Sequence, residues 1–309
     1  DLYLRASYQF AQQSSASIRQ SLELYKATVA KAPTFALGYV GIAQAEYALM
    51  TITAESPDEG VPHVKQALHK ALTLDPHLGE ARGLLASLIY WREWNWPEAE
   101  RQYHLALADG AQAQTQRRFG VELVTRGRFA EGMAHLETAL ELDPMSLSPR
   151  TSLALAYYFQ RKYPEARRAV EDALTLNPDF LAGHVVRGLV AMLQRDCTPT
   201  AIEAAWIRSH YPSPLADFEA ALTDACRANA AAARQDLARM TASKARPFAS
   251  PYQLALGYAA IRDDETALTY LEKSAAIHEG QATYLKVEPL FDSLRAKHRF
   301  VSLEKKMGF

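Results

Sequence analysis

The residues of this chain whose types could support catalysis or metal binding are scattered rather than grouped. His63 and His69 are six positions apart, which puts them on different faces of a helix and argues against a shared metal. Asp263, Asp264 and Glu265 form a run of carboxylates. The run directly precedes a helical pattern, so helix capping and the helix dipole explain it better than acid–base chemistry does. The sequence therefore predicts no enzyme activity.

Other chemical motifs are also missing from the sequence. It contains no glycine-rich phosphate loop and no His-Glu-x-x-His or Cys-x-x-Cys element, so we expect neither a bound metal nor a cofactor. Cys197 and Cys226 are too few for a disulfide framework, and we do not expect them to pair. A net charge of −1 lacks the basic footprint that binding to nucleic acid needs. No apolar run is long enough to cross a bilayer.

The elements that position these residues follow a 34-residue repeat. Pro144, Pro178 and Pro212 are spaced at this interval, and the residues before each proline recur in kind. Small residues such as Gly120 and Gly132 alternate with large apolar ones, which lets two antiparallel helices approach while large side chains fill the space around the contact. Proline then ends the second helix, because it lacks the amide hydrogen that a further turn would need.

This pattern resembles the tetratricopeptide repeat (TPR), a helix–turn–helix unit that stacks into a solenoid. It predicts an all-α fold, a right-handed α–α superhelix of about eight repeats that occupies residues 1–309 as one domain. One repeat is about nine residues longer than the motif allows. We expect its extra segment, Thr51–Gly60, to be an enlarged surface loop. Pro97 and Pro164 are expected in the first turns of helices.

The C-terminal part of the sequence carries a more specific resemblance. The residues that match are Tyr284-Leu285-Lys286, Pro289, Phe291-Asp292, Leu294-Arg295, Arg299-Phe300, Leu303 and Met307-Gly308. They resemble the end of TPR modules at the C-terminus of bacterial signalling proteins, including CadC-type winged-helix transcriptional regulators, TPR serine/threonine kinases and class III adenylate cyclases. The step Lys297-His298 departs from the usual acidic residue followed by proline.

This resemblance implies a regulatory or sensor module that binds a protein or peptide and belongs to a larger bacterial signalling or transcription-regulating protein. The chain starts at Asp1 rather than at methionine, which also favours a fragment. A membrane-anchored parent would place the module in the periplasm, and any other parent would leave it in the cytoplasm. Two alternatives stay open: a self-association scaffold that forms a homodimer, and a domain that senses a small ligand. Residues 283–309 are expected to cap the apolar face of the last repeat.

The predicted binding surface is the concave groove, which the first helix of each repeat lines. Its groove-facing positions form an apolar, aromatic-rich stripe that would bind a protein or peptide partner if it is exposed. The alternative is that part of the chain, or a second copy, covers the stripe. The predicted partner-binding residues are Tyr47, Tyr90, Trp91, Arg117, Val124, Tyr158, Phe159 and Met192.

Overall fold

The computed structural model of the protein describes residues 1–12, 15–52, 57–110, 113–211, 214–242 and 249–309. Over these residues the regular secondary structure is helical, without a β-strand. Seventeen α-helices follow one another along the described chain: α1 (Leu2–Ala11), α2 (Ser15–Lys31), α3 (Ala36–Ile52), α4 (Pro57–Leu74), α5 (Gly79–Leu88), α6 (Trp96–Ala108), α7 (Ala113–Thr125), α8 (Phe129–Leu142), α9 (Leu147–Phe159), α10 (Tyr163–Leu176), α11 (Leu181–Leu193), α12 (Cys197–His210), α13 (Pro214–Cys226), α14 (Ala230–Ala242), α15 (Pro251–Ala260), α16 (Asp264–Ala276) and α17 (His298–Met307).

The first sixteen of these helices form eight consecutive helix pairs, and α17 follows the last pair. This arrangement confirms the predicted all-α fold of TPR type. Pro144 and Pro178 lie just past the ends of α8 and α10, as the repeat pattern predicts. Pro212 lies outside the described residues.

The turn between the two helices of a pair repeats a backbone conformation as well as a sequence pattern. Six residues at successive intervals of 33 or 34 positions have a left-handed conformation, with φ between 53° and 81°: Trp94, Gly127, Arg161, Arg195, Ala228 and Arg262. Only Gly127 adopts this conformation without a steric penalty, because it has no Cβ. The regular spacing shows that the hairpin geometry persists through the repeats whose sequence pattern is weak.

Small residues allow the helices of a pair to touch through their backbones. A Cβ atom placed on Gly120 of α7 would lie 2.8 Å from the carbonyl oxygen of Gly132, and one placed on Gly132 of α8 would lie 2.7 Å from that of Gly120. No real Cβ atom fits at such distances. The prediction that these two positions must be small is therefore confirmed.

Helix starts agree with the turn chemistry of the sequence. Pro97 and Pro164 occupy the first turns of α6 and α10. The Asp263 carboxylate accepts a hydrogen bond from the Thr266 amide at 3.3 Å, so it caps α16. This carboxylate run is thus a helix start, as predicted, and the capping contact accounts for its composition.

The expected loop at Thr51–Gly60 is wrong at both ends. Helix α3 continues to Ile52 and α4 begins at Pro57, so the additional residues of this repeat lengthen its two helices. Residues 53–56 lie outside the described residues. Alanine and leucine on both sides of the segment favour helix, and this preference extends the two helices into the predicted loop.

The two cysteines also differ from expectation, because Cys197 and Cys226 form a disulfide with their Cα atoms 5.6 Å apart. Cys197 begins α12 and Cys226 ends α13. When one helix pair stacks on the next, the start of the second helix of the first pair lies beside the end of the first helix of the following pair. A separation of 29 residues therefore brings the two thiols together at one edge of the repeats.

Contacts within the chain divide it into two compact units, residues 1–115 (unit 1) and residues 116–309 (unit 2). In unit 2 the first helices of successive pairs, α9, α11, α13 and α15, pack side by side. A single domain of 1–309 stays a prediction. Among the described residues, none of the helices combines the length and apolar character needed to cross a membrane.

Candidate peptide-binding face

Three of the predicted groove residues belong to unit 1. Tyr47 lies in α3 and is half-buried. Tyr90 and Trp91 lie in a π-helical turn, Ile89–Glu93, that continues α5. Tyr90 is buried, with its ring centroid 4.6 Å from that of Trp96 and 5.4 Å from that of Trp91. Trp91 is half-buried.

The other five predicted groove residues belong to unit 2, and four of them are buried. Val124, Tyr158, Phe159 and Met192 have almost no exposed surface, whereas Arg117 is half-buried. The stripe is therefore not an open surface in this unit. The binding role of the eight predicted residues stays a prediction. What the structure adds is the identity of the group that covers two of them.

Residues 284–292, which we call the tail segment, cover the end of α9. The Tyr158 hydroxyl donates a hydrogen bond to Oε1 of Glu288 at 2.6 Å, across 130 residues of sequence. The ring of Phe159 lies 5.3 Å from that of Tyr284. The alternative that part of the chain itself covers the groove therefore holds at this place.

Arg161 holds the tail segment beside these contacts. Its guanidinium donates to the backbone carbonyl of Val287 at 3.0 Å and to the Asp292 carboxylate at 2.5 Å. Arg161 is the left-handed residue of its turn, and this conformation is where the chain turns away from α9. Arg161 therefore binds a main-chain carbonyl of the tail segment, and main-chain hydrogen bonds are common in the recognition of bound peptides.

Helix α15 reaches the same carboxyl group from the other side. The Tyr252 hydroxyl lies 3.5 Å from Oε2 of Glu288. The Tyr252 ring also packs against two aromatic residues of the tail segment: its centroid lies 6.1 Å from that of Tyr284 and 5.7 Å from that of Phe291. Glu288 thus contacts both α9 and α15, the first helices of two pairs that are three pairs apart in sequence.

The environment of Glu288 favours its protonated form. Burial raises the pKa of this carboxyl to about 7, although bonds from the Tyr158 hydroxyl and the Leu290 amide, and the charge of Arg161, act to lower it. Burial and the charge of Glu288 raise the pKa of Tyr158 and of Tyr252 well above the usual value. Both hydroxyl groups therefore stay protonated and available as donors.

The tail segment is fixed at both ends by contacts outside the groove. Before it, the Glu279 carboxylate accepts hydrogen bonds from the Tyr252 amide at 2.9 Å and from the Ser274 hydroxyl at 2.7 Å. After it, Arg299 of α17 pairs with Glu272 of α16 at 2.8 Å. The tail segment consists of short 3₁₀-helical turns, which include the end of Gly280–Tyr284 and all of Pro289–Phe291, and it is held between two anchors.

The C-terminal helix has the burial that a cap requires. Phe300, Leu303 and Met307 of α17 are buried. Lys297, just before α17, lies 3.2 Å from the Asp264 carboxylate of α16. The capping role of 283–309 stays a prediction, since burial alone does not measure it.

A second group of buried polar residues lies between α11, α12 and α13. Glu203 accepts hydrogen bonds from Nδ1 of His184 at 2.6 Å and from Nε of Arg187 at 2.8 Å. Nearby, burial and the charge of Glu203 raise the pKa of Glu219 well above its usual value. Neither carboxyl oxygen of Glu219 has a hydrogen-bond partner in the part of the chain that the structure describes. A neutral carboxylic acid is the form that such a site stabilises.

The described residues contain no cluster of three or more histidine, cysteine or acidic side chains that could hold a metal ion. The chemistry that the arrangement around Glu288 can perform is recognition. Two phenolic hydroxyl groups meet the Glu288 carboxyl, and the Arg161 guanidinium contacts the Val287 carbonyl and the Asp292 carboxylate beside it. Sequence reasoning found Tyr158 and Phe159 but missed Glu288, Arg161 and Tyr252. Only the C-terminal resemblance marked the tail as unusual, and it did not indicate where the tail packs.

Comparison with known proteins supports the fold and leaves the family open. No family model matches the chain, and no curated protein matches it. Solved structures do match. The human IFIT1 dimer with m7Gppp-AAAA is 16% identical, with a TM-score of 0.67, and the match covers 93% of this chain and 68% of that chain.

Two bacterial structures are similar in the same way. A tetratricopeptide repeat protein from Parabacteroides merdae is 14% identical over 80% of this chain and 98% of that one, with a TM-score of 0.55. PilF from Pseudomonas aeruginosa is 18% identical over 67% of this chain and 90% of that one, with a TM-score of 0.50. Identities this low carry information on fold alone. With the eight observed helix pairs, they establish that this chain has the all-α fold of tetratricopeptide repeat proteins.

Proposed function

We propose that this chain is a non-enzymatic module that binds a protein or peptide and serves as the regulatory or sensor part of a larger bacterial signalling or transcription-regulating protein. One observation carries the binding role. Helix α9 and the turn after it already hold a short stretch of polypeptide in 3₁₀ turns through main-chain and side-chain contacts, at Val287 and Glu288. Helical repeat proteins use extended concave surfaces for binding.

The signalling context rests on the resemblance of the C-terminal sequence to modules of such proteins. The disulfide between Cys197 and Cys226 supports the periplasmic alternative for its location, because disulfides persist in oxidising compartments and are rare in the cytosol. The coding sequence upstream of the 309 residues tests this context. A winged-helix, kinase or cyclase domain is expected there, and a domain unrelated to signalling would contradict the proposal.

The binding role is tested by panning a library of random peptides, displayed on phage, against the full chain. Selected peptides are then synthesised and their dissociation constants measured by calorimetry. Trp91, a half-buried aromatic residue of unit 1 at a predicted groove position, is the first position to change. Truncation of an aromatic anchor commonly costs about 2 kcal/mol of binding free energy, roughly a thirtyfold loss of affinity, so Trp91→Ala should weaken those peptides that bind unit 1 by about this factor.

Trp206→Ala is the matched control, because this tryptophan is also half-buried but lies on α12, a second helix of its pair. It should leave the dissociation constants unchanged. The proposed function fails if panning yields no peptide that binds measurably. If peptides bind and neither substitution weakens them, the binding role stands and Trp91 is not the contact.

A further inference from the structure

The tail segment has the properties of a ligand bound to the inner face of unit 2. Its contacts with α9 and the following turn are specific for a carboxylate and for a main chain: Tyr158 donates to Glu288, and Arg161 donates to the Val287 carbonyl. Aromatic packing of Tyr284 against Phe159 adds an apolar contact four residues before the acid. Apolar filling alone would need none of this polar matching.

Capping and occupation of the inner face are carried by different parts of the C-terminal region. Helix α17 is held on α16 by Arg299, which pairs with Glu272 at 2.8 Å and Glu265 at 3.0 Å. The Glu279 anchor holds the other end at the start of α15. Eighteen residues of chain, 280–297, separate Glu279 from the start of α17 at His298, so the segment can leave the inner face as a loop while both anchors stay in place.

The outer side of the tail segment faces solvent. Lys286 and Asp292 are exposed, and the Arg161 side chain that pairs with Asp292 is itself partly exposed. The Asp292–Arg161 pair is therefore open to competition at the edge of the site, whereas Glu288 is reached only when the segment moves. An incoming peptide can begin at this edge and replace the segment progressively.

We propose that the inner face around Tyr158, Arg161 and Tyr252 is a recognition site for a short acidic peptide in a turn conformation that carries an aromatic residue four positions before a glutamate, and that the tail segment occupies it as an internal ligand. A partner of this chemistry binds by displacing the tail segment. This inference rests on the proposed function and specifies the kind of partner that unit 2 accepts.

The test uses a fluorescein-labelled synthetic peptide with the sequence of residues 279–296 and the full chain. In the wild type, the attached segment competes at an effective concentration on the order of millimolar, so the peptide should bind weakly. Full-length protein with Tyr284→Ala and Glu288→Ala, which loses the two groove contacts, should bind the peptide at least about tenfold more tightly by fluorescence anisotropy. Lys286→Ala is the matched control, because this residue lies in the same segment but faces solvent. It should bind as the wild type does.

A second peptide, in which alanine replaces the residue equivalent to Glu288, should lose binding to the Tyr284→Ala, Glu288→Ala protein by about tenfold or more, the usual scale for an anchor residue. The proposal is overturned if this doubly substituted protein, folded by circular dichroism, binds the first peptide no more tightly than the wild type. It is also overturned if the two peptides bind equally well.

Should the doubly substituted protein fail to fold, hydrogen exchange of the wild type decides the question. With the peptide at about 5 mM, in excess of the effective concentration of the attached segment, amides of 284–292 should exchange faster than without it. Unchanged exchange overturns the proposal. If library peptides bind the full chain but the first peptide binds the doubly substituted protein no more tightly than the wild type, the proposed function stands and only the internal-ligand site is refuted.

Discussion

Titration of Glu288 should make unit 2 less stable as the pH rises from about 4.5 to about 7. The Glu288 side chain is 2% exposed, and burial raises its pKa from the ordinary value of 4.5 to about 7. In the unfolded chain the same carboxyl titrates near its ordinary value. Between the two values the folded state holds a proton that the unfolded state has released, so the free energy of unfolding falls as the pH increases.

The size of the effect follows from the width of this window. One pH unit corresponds to about 1.4 kcal/mol for one proton, so a shift from 4.5 to about 7 corresponds to about 3 kcal/mol. Glu219 acts in the same direction, because its pKa is also raised by burial. Acids with a lowered pKa act elsewhere: hydrogen bonds from Arg101 lower that of Glu98 to about 2, so its contribution is lost only as the pH falls below about 4.5.

The assay is urea denaturation followed by circular dichroism at pH 5, 6, 7 and 8, for wild type and for Glu288→Gln. Glutamine keeps the shape and an acceptor for the Tyr158 hydroxyl but has no proton to lose. The difference in unfolding free energy between the two proteins should change by about 3 kcal/mol across this range in favour of the variant at high pH. Glu141→Gln, at an exposed position of α8, should follow the wild type at every pH.

Parallel pH profiles for wild type and Glu288→Gln would refute the reasoning. They would mean that the hydrogen bonds from Tyr158 and Leu290, with the charge of Arg161, offset the cost of burial and leave the pKa of Glu288 at its ordinary value. A profile of opposite slope would show that these donors lower the pKa of Glu288 below its ordinary value.

Three further substitutions test the geometry of the repeats. Gly132→Ala should destabilise the protein by about 1–3 kcal/mol because its Cβ would meet backbone, whereas Gly183→Ala, which meets only a flexible leucine side chain, should cost less; equal melting temperatures would contradict the close approach. Ala228→Gly should raise stability by about 0.5–1 kcal/mol, since the left-handed conformation penalises a Cβ, and a lower urea midpoint would contradict that strain. Reduction of the disulfide between Cys197 and Cys226, which are 29 positions apart, opens this cross-link and should lower the free energy of unfolding by about 3 kcal/mol. The double serine variant should not respond to reductant, and identical urea midpoints before and after reduction would contradict this prediction.

The parts of the fold that could be predicted from the sequence are those that depend on nearby residues. A repeat of 34 residues fixes which positions of one hairpin must be small, and Gly120 and Gly132 meet as expected. Helix starts at Pro97, Pro164 and Asp263 follow from local hydrogen bonding, and they too are confirmed.

What could not be predicted depends on contacts between residues far apart in sequence. The pair Tyr158 and Glu288 is separated by 130 positions, and no local pattern announces it. The pairing of Cys197 with Cys226 was open to prediction in principle, because 29 residues in a 34-residue repeat return the chain to the same edge. The pairing follows only if the helix pairs around Cys197 and Cys226 stack regularly, although the sequence pattern of these repeats is weak.

The predicted groove illustrates the limit of reading a surface from its register alone. The register predicts that Tyr158 faces the inner side of the repeats, and the structure buries it against Glu288. Exposure is a separate property, because a residue on an inner face is accessible only if nothing else in the chain fills that face. In unit 2 the tail segment brings the Glu288 carboxyl to two phenols and the Asp292 carboxylate to a guanidinium. The same fact that removes Tyr158 from the surface therefore specifies what chemistry its surroundings accept.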